Sequence, residues 1–274
     1  MLFRSFNEIL SNSLTKAEYL SYSGWNEANA IRLLNPLSQE LSILRQSLLE
    51  SGLEAIHYNR NRKSPDLKLY EFGKVYEMKE GMYSEETRLS VFVTGDKEEV
   101  SWKKQSVASD FYLLKAYAEN LIALCGLNDK KVKVQVQSGE ECSYGLTYFI
   151  GKTPVLYIGS VQNAVLKKFD ISQPVFYADV RWSVLMQHAS DRPVQFRELP
   201  RFPVVKRDLS MMVPKEVTFD KLMEISYRTE TKMLKDVRLF DIYDGDKIEA
   251  GKKSLALSFF LLDRSEEHTS ELQS

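Results

Sequence analysis

The chain has 274 residues, 43% of them hydrophobic and 27% charged, enough for one large or two ordinary folded domains and far from a disordered composition. Its 37 lysines and arginines offset 38 aspartates and glutamates, so no overall field draws it to nucleic acid or membranes, and any nucleic-acid site must be a local patch or be shared with a partner. Two cysteines, Cys125 and Cys142, are too few for a disulfide framework or a metal site and predict a reduced, cytoplasmic setting. No apolar run reaches the roughly 18 residues of a membrane span, and the first residues lack the pattern of an export signal.

Met1 to Phe6 leads straight into apolar Ile9 and Leu10, the expected look of a chain that begins inside a larger polypeptide. Ser13 or Thr15 is placed to cap a helix over Lys16 to Tyr22, Ile31 to Leu34 reads as a strand, and Asn35-Pro36 ends it. Helical spacing of Leu44, Leu48, Leu53 and Ile56 predicts a helix from Leu44 to Asn59, with Gly52 marking either a kink or a close contact. Alternation over Leu67 to Val75 and the β-branched, aromatic run Arg88 to Thr94 predict two strands, leaving Glu85-Glu86 on a loop.

Phe111, Leu114, Ala118, Leu121 and Ile122 make the plainest helical stripe, with Asp110 as its N-cap and Gly126 closing its end. Strands follow at Val132 to Val136, Leu146 to Ile150 and Val155 to Val161, the last two bracketing a turn at Gly151-Lys152-Thr153-Pro154. Asn163 is expected to cap a short helix reaching Phe169, Val175 to Val180 reads as a strand, and Ser183 to Gln187 as helix. Prolines 193, 200 and 203, interleaved with Arg192, Arg197 and Arg201, read as an extended connector.

The boundary therefore falls near 190. Beyond it come strand Asp208 to Val213, helix Thr218 to Thr229, strand Leu234 to Tyr243 and strand Ser254 to Leu262, with Asp244-Gly245-Asp246 as a turn. That order is the first two-thirds of a ferredoxin-like split βαβ fold. A sheet so truncated is expected to expose core positions such as Leu209, Met211, Leu255 and Leu257. Residues 264–274 are polar, resemble the translation of a short-read sequencing adapter, and are expected to be a non-native tail.

Asn35-Pro36-Leu37-Ser38, Leu44 to Leu49, Asn59 and Tyr70 to Tyr76 resemble the catalytic-like domain of the large subunit in the bacterial phenylalanyl-tRNA synthetase family. Leu199 to Pro203, Lys206 to Leu209, Leu239 to Tyr243 and Gly251 to Ala256 resemble the module that follows it, and the shared order spans nearly residues 1 to 263. The resemblance implies an α+β chain: a class II synthetase catalytic-like antiparallel sheet domain over 1–190, then a truncated ferredoxin-like anticodon-stem-binding domain over 191–263. It further implies a small (alpha) subunit partner, a heterotetramer of two alpha and two beta subunits, tRNA(Phe), and ATP and Mg2+ used by the complete complex with no cofactor or metal in this fragment. The family's tRNA-binding, editing and helix-turn-helix-like N-terminal domains have no counterpart here, so editing is not expected of this stretch.

A working class II site needs an arginine to neutralise the reacting phosphate and a later glycine-rich segment with a second arginine. Leu69 stands where an Arg-x-Glu motif would place the first, and Tyr177 to Trp182 has no glycine. Catalytic residues are therefore expected to be none, with Arg181 either a remnant phosphate ligand or a surface or interface arginine. His57 and His188 lie in no nucleophile–base pattern, and Glu85-Glu86 and Glu140-Glu141 read as solvated loop charges.

Arg60, Arg62 and Lys63 suit either phosphate contact or the C-terminal end of their helix and a subunit contact. Under the resemblance, Arg201, Lys206, Arg207, Lys252 and Lys253 are the tRNA-binding candidates, through backbone phosphates. Leu255, Leu257, Phe259 and Leu261 are expected to face the core, and Ser254, Ala256, Ser258 and Phe260 the other side, which is no aromatic platform. Trp25, Trp102, Tyr144, Tyr148 and Trp182 suit core or interface alike. Rival readings are a competent synthetase and a free-standing RNA-binding protein of the same fold.

Overall fold

A computed structural model describes residues 5–21, 24–98, 102–103, 105–127, 132–137, 141–189, 203–245, 248–249 and 251–262. Most of the proline-rich connector with Arg201, and the tail 264–274, lie outside the described residues, as does Asp246. The chain divides into two compact units, residues 1–193 and 194–274.

The first unit is built on a seven-stranded sheet. In chain order its strands are Asn7–Glu8 (β1), Leu67–Lys79 (β4), Met82–Thr94 (β5), Val132–Val136 (β6), Cys142–Ile150 (β7), Thr153–Val161 (β8) and Val175–Val180 (β9). A separate two-stranded pair joins Leu14–Thr15 (β2) to Ile43–Leu44 (β3). Helices are Leu49–Arg60 (α1), Phe111–Leu124 (α2), Asn163–Lys168 (α3) and Trp182–His188 (α4). The large sheet runs β1-β4-β5-β9-β8-β7-β6 and is antiparallel except where β1 lies parallel to β4.

Each face of this sheet buries its own apolar layer. On one side α2 sets Leu114, Ala118 and Leu121 against Val91, Val93, Ile158 and Ala178. On the other α1 sets Leu49, Leu53 and Ile56 against Leu67, Leu69, Phe92 and Val175, with Val165 and Leu166 of α3. Leu53, Ile56 and Phe92 are 0% exposed, and full burial of such side chains stabilises by about 1.5–3 kcal/mol each. Gly52 is the close-contact reading, because a Cβ there would run into the Phe92 ring.

Several local expectations shift for tertiary reasons. α1 begins at Leu49 instead of Leu44: Ile43 and Leu44 are spent on pairing with β2, and Ser47 Oγ accepts from Leu49 N at 3.0 Å. Where the sequence predicts a helix over Lys16 to Tyr22, the described residues form a 3-10 turn, Ala17–Ser21, and Tyr22 lies outside them. Ile31 to Leu34 forms no strand, only a bridge from Arg32 to Ile43, and Leu34 is left 98% exposed with no surface to hold it. α2 starts as expected, Asp110 Oδ1 accepting from Leu113 N at 2.7 Å, and Gly126 follows its end at φ 72°. Asn163 is the first residue of α3, with Gln162 at the cap.

The largest correction concerns Glu85 and Glu86, which lie within β5 opposite Tyr76 and Val75. The β4–β5 hairpin turns at Glu80 and Gly81, both left-handed at φ 52° and 78°. That pair of torsions matches the twist of the flanking strands and lets the ladder continue through their polar halves.

The second unit holds Val205–Pro214 (β10), Phe219–Thr229 (α5), Leu234–Tyr243 (β11) and Lys252–Leu261 (β12). Its sheet runs β10-β12-β11, all antiparallel, with β12 central. Thr218 caps α5 by accepting from Lys221 N, and α5 lays Phe219, Leu222 and Met223 on Leu234, Val237 and Leu257. Leu255 and Leu257 are 1% and 0% exposed, against the expectation that they lie open, because the central strand is flanked on both sides. Leu209, on edge strand β10, is 51% exposed as expected.

Candidate functional site

Two surfaces carry the sequence-predicted residues, one in each unit. In the first unit, Leu69 is 2% exposed and sits in the apolar layer beneath α1, opposite Phe92. Two residues along the same strand face, Glu71 is fully buried and held by Arg45 Nη1 at 2.9 Å and by Ser11 Oγ at 2.7 Å. Arg45 Nε also donates to the Lys74 carbonyl at 2.9 Å. The Arg45 guanidinium is thus spent on tying β4 to the segments before it.

Further along this face lies a chain of ion pairs. Arg88 on β5 donates to Asp179 on β9 at 2.5 Å and to Glu86 at 3.2 Å, and Arg181 donates to Glu86 at 2.6 Å. Burial opposes the Arg88 charge, but Asp179 and Glu86 outweigh it and push the guanidinium further above its usual range. Arg181 is therefore tied to the Glu86 carboxylate. The expectation of solvated loop charge at Glu86 fails for the same reason: its side chain is 20% exposed and bridges two arginines.

Arg45, Glu71, Arg88 and Asp179 were missed by sequence reading because each pair joins residues far apart in the chain. The one available signal was a charged residue, Arg88, at the head of an otherwise apolar run.

At the end of α1, Arg60 donates to the Asp170 carbonyl, Ser172 and Gln173 at 2.9, 2.7 and 3.1 Å. Arg62 donates to the Tyr58 carbonyl at 3.1 Å and stacks on the Tyr58 ring. Arg62 thus serves the helix end, where carbonyls lack partners and cations are favoured, while Arg60 ties that end to the loop between α3 and β9. Trp25 and Tyr148 are core residues, 8% and 2% exposed, whereas Trp102 and Tyr144 stand 91% and 47% open.

In the second unit the four described candidates do not form one cluster. Lys206 and Arg207 lie opposite Phe260 and Phe259, while Lys252 and Lys253 lie opposite Pro214 and Val213 at the other end of the same ladder, about 26 Å away at strand spacing. Register puts Lys206 and Lys252 on the open face and Arg207 and Lys253 on the helix side. Lys206 pairs with Asp208 at 3.3 Å, Lys252 with Glu249 at 2.7 Å, and Lys253 Nζ donates to the Lys215 carbonyl at 2.8 Å. Arg207 is exposed and has no ion pair among the described residues.

The open face also carries what the sequence reading set aside. A register shift between Leu239 and Asp241 leaves Phe240 out of the ladder and 57% exposed, with the Lys206 ammonium 5.5 Å from its ring centre. Beside it Arg238 lies 4.7 Å over the Phe260 ring. Two rings, each with a cation over it, make a surface able to stack a base and reach its phosphate. Ser258 donates to Asp208 at 2.6 Å on this face and, with Lys206, holds that carboxyl below its usual range.

Among the described residues no helix is long and apolar enough to cross a membrane. Comparison with known proteins gives two consecutive matches: residues 1–182 to the phenylalanyl tRNA synthetase beta chain CLM domain, and residues 200–271 to the ferredoxin-fold anticodon binding domain. The chain is 42% identical to the phenylalanine–tRNA ligase beta subunit of Bacteroides fragilis over 95% of its own length, and 36% identical to that of Porphyromonas gingivalis over 96%. It spans about a third of those relatives, 33% in each case. Among solved structures, pyrrolysyl-tRNA synthetase from Desulfitobacterium hafniense shares the fold at TM-score 0.52 and 12% identity, covering 67% of this chain and 63% of that one. The catalytic-like sheet, the ferredoxin-like unit and the order in which they follow one another place this chain in the phenylalanyl-tRNA synthetase beta chain family.

Proposed function

We propose that the chain is the scaffold and tRNA-positioning part of a phenylalanine–tRNA ligase large subunit, and that it does not activate an amino acid itself. In this reading residues 1–190 form an inactive catalytic-like domain that docks a small (alpha) subunit, within a cytoplasmic assembly of two alpha and two beta subunits. Residues 191–263 position tRNA(Phe), and residues 264–274 are a non-native tail. The complete complex uses ATP and Mg2+, and neither is held here. The observation that carries the reading is the buried Leu69, together with arginines Arg45, Arg88 and Arg181 already engaged with carboxylates. A phosphate developing charge above β4 meets no uncommitted guanidinium from these three, and preorganised positive charge is the main source of rate in such a site.

The tRNA role rests on Lys206 and Lys252 on the open face of β10-β12-β11, with Arg238, Phe240 and Phe260 added there by geometry, and on Arg201, Arg207 and Lys253 as further phosphate contacts. Because Lys206 and Arg207 sit at one end of the ladder and Lys252 and Lys253 at the other, contact is spread along the strands. The test is co-purification with a small synthetase subunit, followed by tRNA(Phe) binding to that complex over a range of salt. Affinity that falls steeply with salt agrees with phosphate contacts. A chain that binds RNA equally well with no synthetase partner would favour the free-standing RNA-binding alternative.

A further inference from the structure

The seven-stranded sheet ends on β6, which pairs with β7 and, among the described residues, with no strand on its other side. The ladder shows which groups that free edge offers. Gln137 N donates to the Gly145 carbonyl at 2.9 Å, one step beyond the Val136–Leu146 pair. Main-chain groups along an antiparallel strand turn to alternate sides, so Lys133, Gln135 and Gln137 direct theirs at β7. The N–H and C=O groups of Val132, Val134 and Val136 therefore point outward, away from β7.

One face of that edge is apolar. Val132 packs against the layer under α2, and alternation puts Val134 and Val136 on the same sheet face, opposite Tyr148 and Leu146. Because α2 packs chiefly over β8 and β9, these two valines stand open, 46% and 84% exposed. An exposed apolar strand edge is a ready template for another strand. The segment Val132-Lys133-Val134-Gln135-Val136 is also nearly the same read in either direction, so it complements itself when reversed.

We propose that two copies of this chain pair through β6, antiparallel about a two-fold axis at Val134, so that their large sheets join edge to edge. In that register Val134 meets the partner's Val134 and Val132 meets the partner's Val136, which brings the outward main-chain groups of both edges together. Three valine pairs lie on one face, and on the other Lys133 stands opposite the partner's Gln135, with no like charges opposed. Centring on Lys133 instead would set two lysines face to face, and centring on Gln135 would leave Val132 without a valine opposite. A five-residue seam is short against the roughly 1,200–2,000 Å2 of a standard interface, so the dimer is weak. It needs no small subunit and stands or falls independently of the tRNA reading.

The test is sedimentation of the 274-residue chain alone, over about a hundredfold range of concentration, since mass action drives a weak dimer together as concentration rises. The expected result is monomer at the low end and dimer at the high end. Val134→Pro removes an N–H that β7 does not use and that an edge strand can spare, so it should keep the fold and stay monomeric throughout. Gln135→Glu places an acid opposite Lys133 twice in each dimer and should tighten association about fivefold, and Gln135→Lys should loosen it by a similar factor. The chain carries a formal charge of −1, so the added acid increases overall repulsion and a tightening reports the local pairing. Should Val134→Pro fail to fold, judged by its thermal melt, the Gln135 variants decide. A monomer at every concentration, a dimer unchanged by folded Val134→Pro, or Gln135 variants that do not move in opposite directions would overturn the proposal.

Discussion

The two units solve the problem of burying a sheet differently. In the first, each face of the central strands is covered by its own apolar layer, and two arginines within it pair with carboxylates far along the chain. In the second, three strands bury one face under α5 and leave the other without a covering helix, with cations lying over the exposed Phe240 and half-buried Phe260 rings. The comparison separates two uses of arginine. Buried against a carboxylate, as Arg45 is with Glu71, it fixes the frame, whereas on the open sheet Arg238 pairs with Asp236 at 2.7 Å while its side chain stays 67% exposed, where a partner's charge can compete for it.

The sharpest way to break this contrast is to remove a buried partner. Arg45→Met leaves Glu71, which is 0% exposed, without its counter-charge, and uncompensated buried charge of this kind costs about 3–5 kcal/mol. Chemical denaturation followed by a probe in the first unit should show that loss, and a change below about 1 kcal/mol would contradict the role given to the pair.

Next in size is Leu257→Ala in the second unit. Its site is 0% exposed, and truncating such a residue costs about 2–5 kcal/mol. Hydrogen exchange should speed up over residues 205–262 and leave the first unit unchanged, if the two bury separate cores. Coupled acceleration across both would show that the units are not independent.

What the sequence disclosed divides along the same line. α2 was legible in full because its stripe, its Asp110 cap and Gly126 are all local. The strands of the second unit were legible because their alternation survives at half-burial. The extent of the β4–β5 hairpin was not, since Glu80-Gly81 lacks the Asn-Gly signature and the outer halves of both strands are polar. Neither were the long-range ion pairs: Arg45 and Glu71, or Arg88 and Asp179, meet only once the sheet is assembled. Phe240 was missed because an alternating pattern cannot reveal a register shift.

A smaller effect is expected on the open face. Replacing Lys206 and Arg238 together by alanine should weaken tRNA binding by the assembled complex and flatten its salt dependence, by about one unit of slope for each phosphate no longer neutralised. An unchanged slope would remove these residues from the interface. The smallest effect concerns Asp208, whose carboxyl is held below its usual range first by the Ser258 hydroxyl and then by Lys206. A folded-state value below the unfolded one gives stability that is present above the ordinary carboxylate range and lost as pH falls through the folded value. Ser258→Ala should move the Asp208 titration back upward, as followed by carboxyl NMR, and an unmoved titration would show that the hydroxyl is not its cause.

The central claim, that this class II frame holds partners without steadying a reacting phosphate, is met most directly by ATP–pyrophosphate exchange with phenylalanine, using the purified chain alone and then the chain with its small subunit. The account predicts no exchange above background for the chain alone and exchange once the small subunit is present. Exchange by the chain alone, with nucleotide bound beside Leu69, would contradict it.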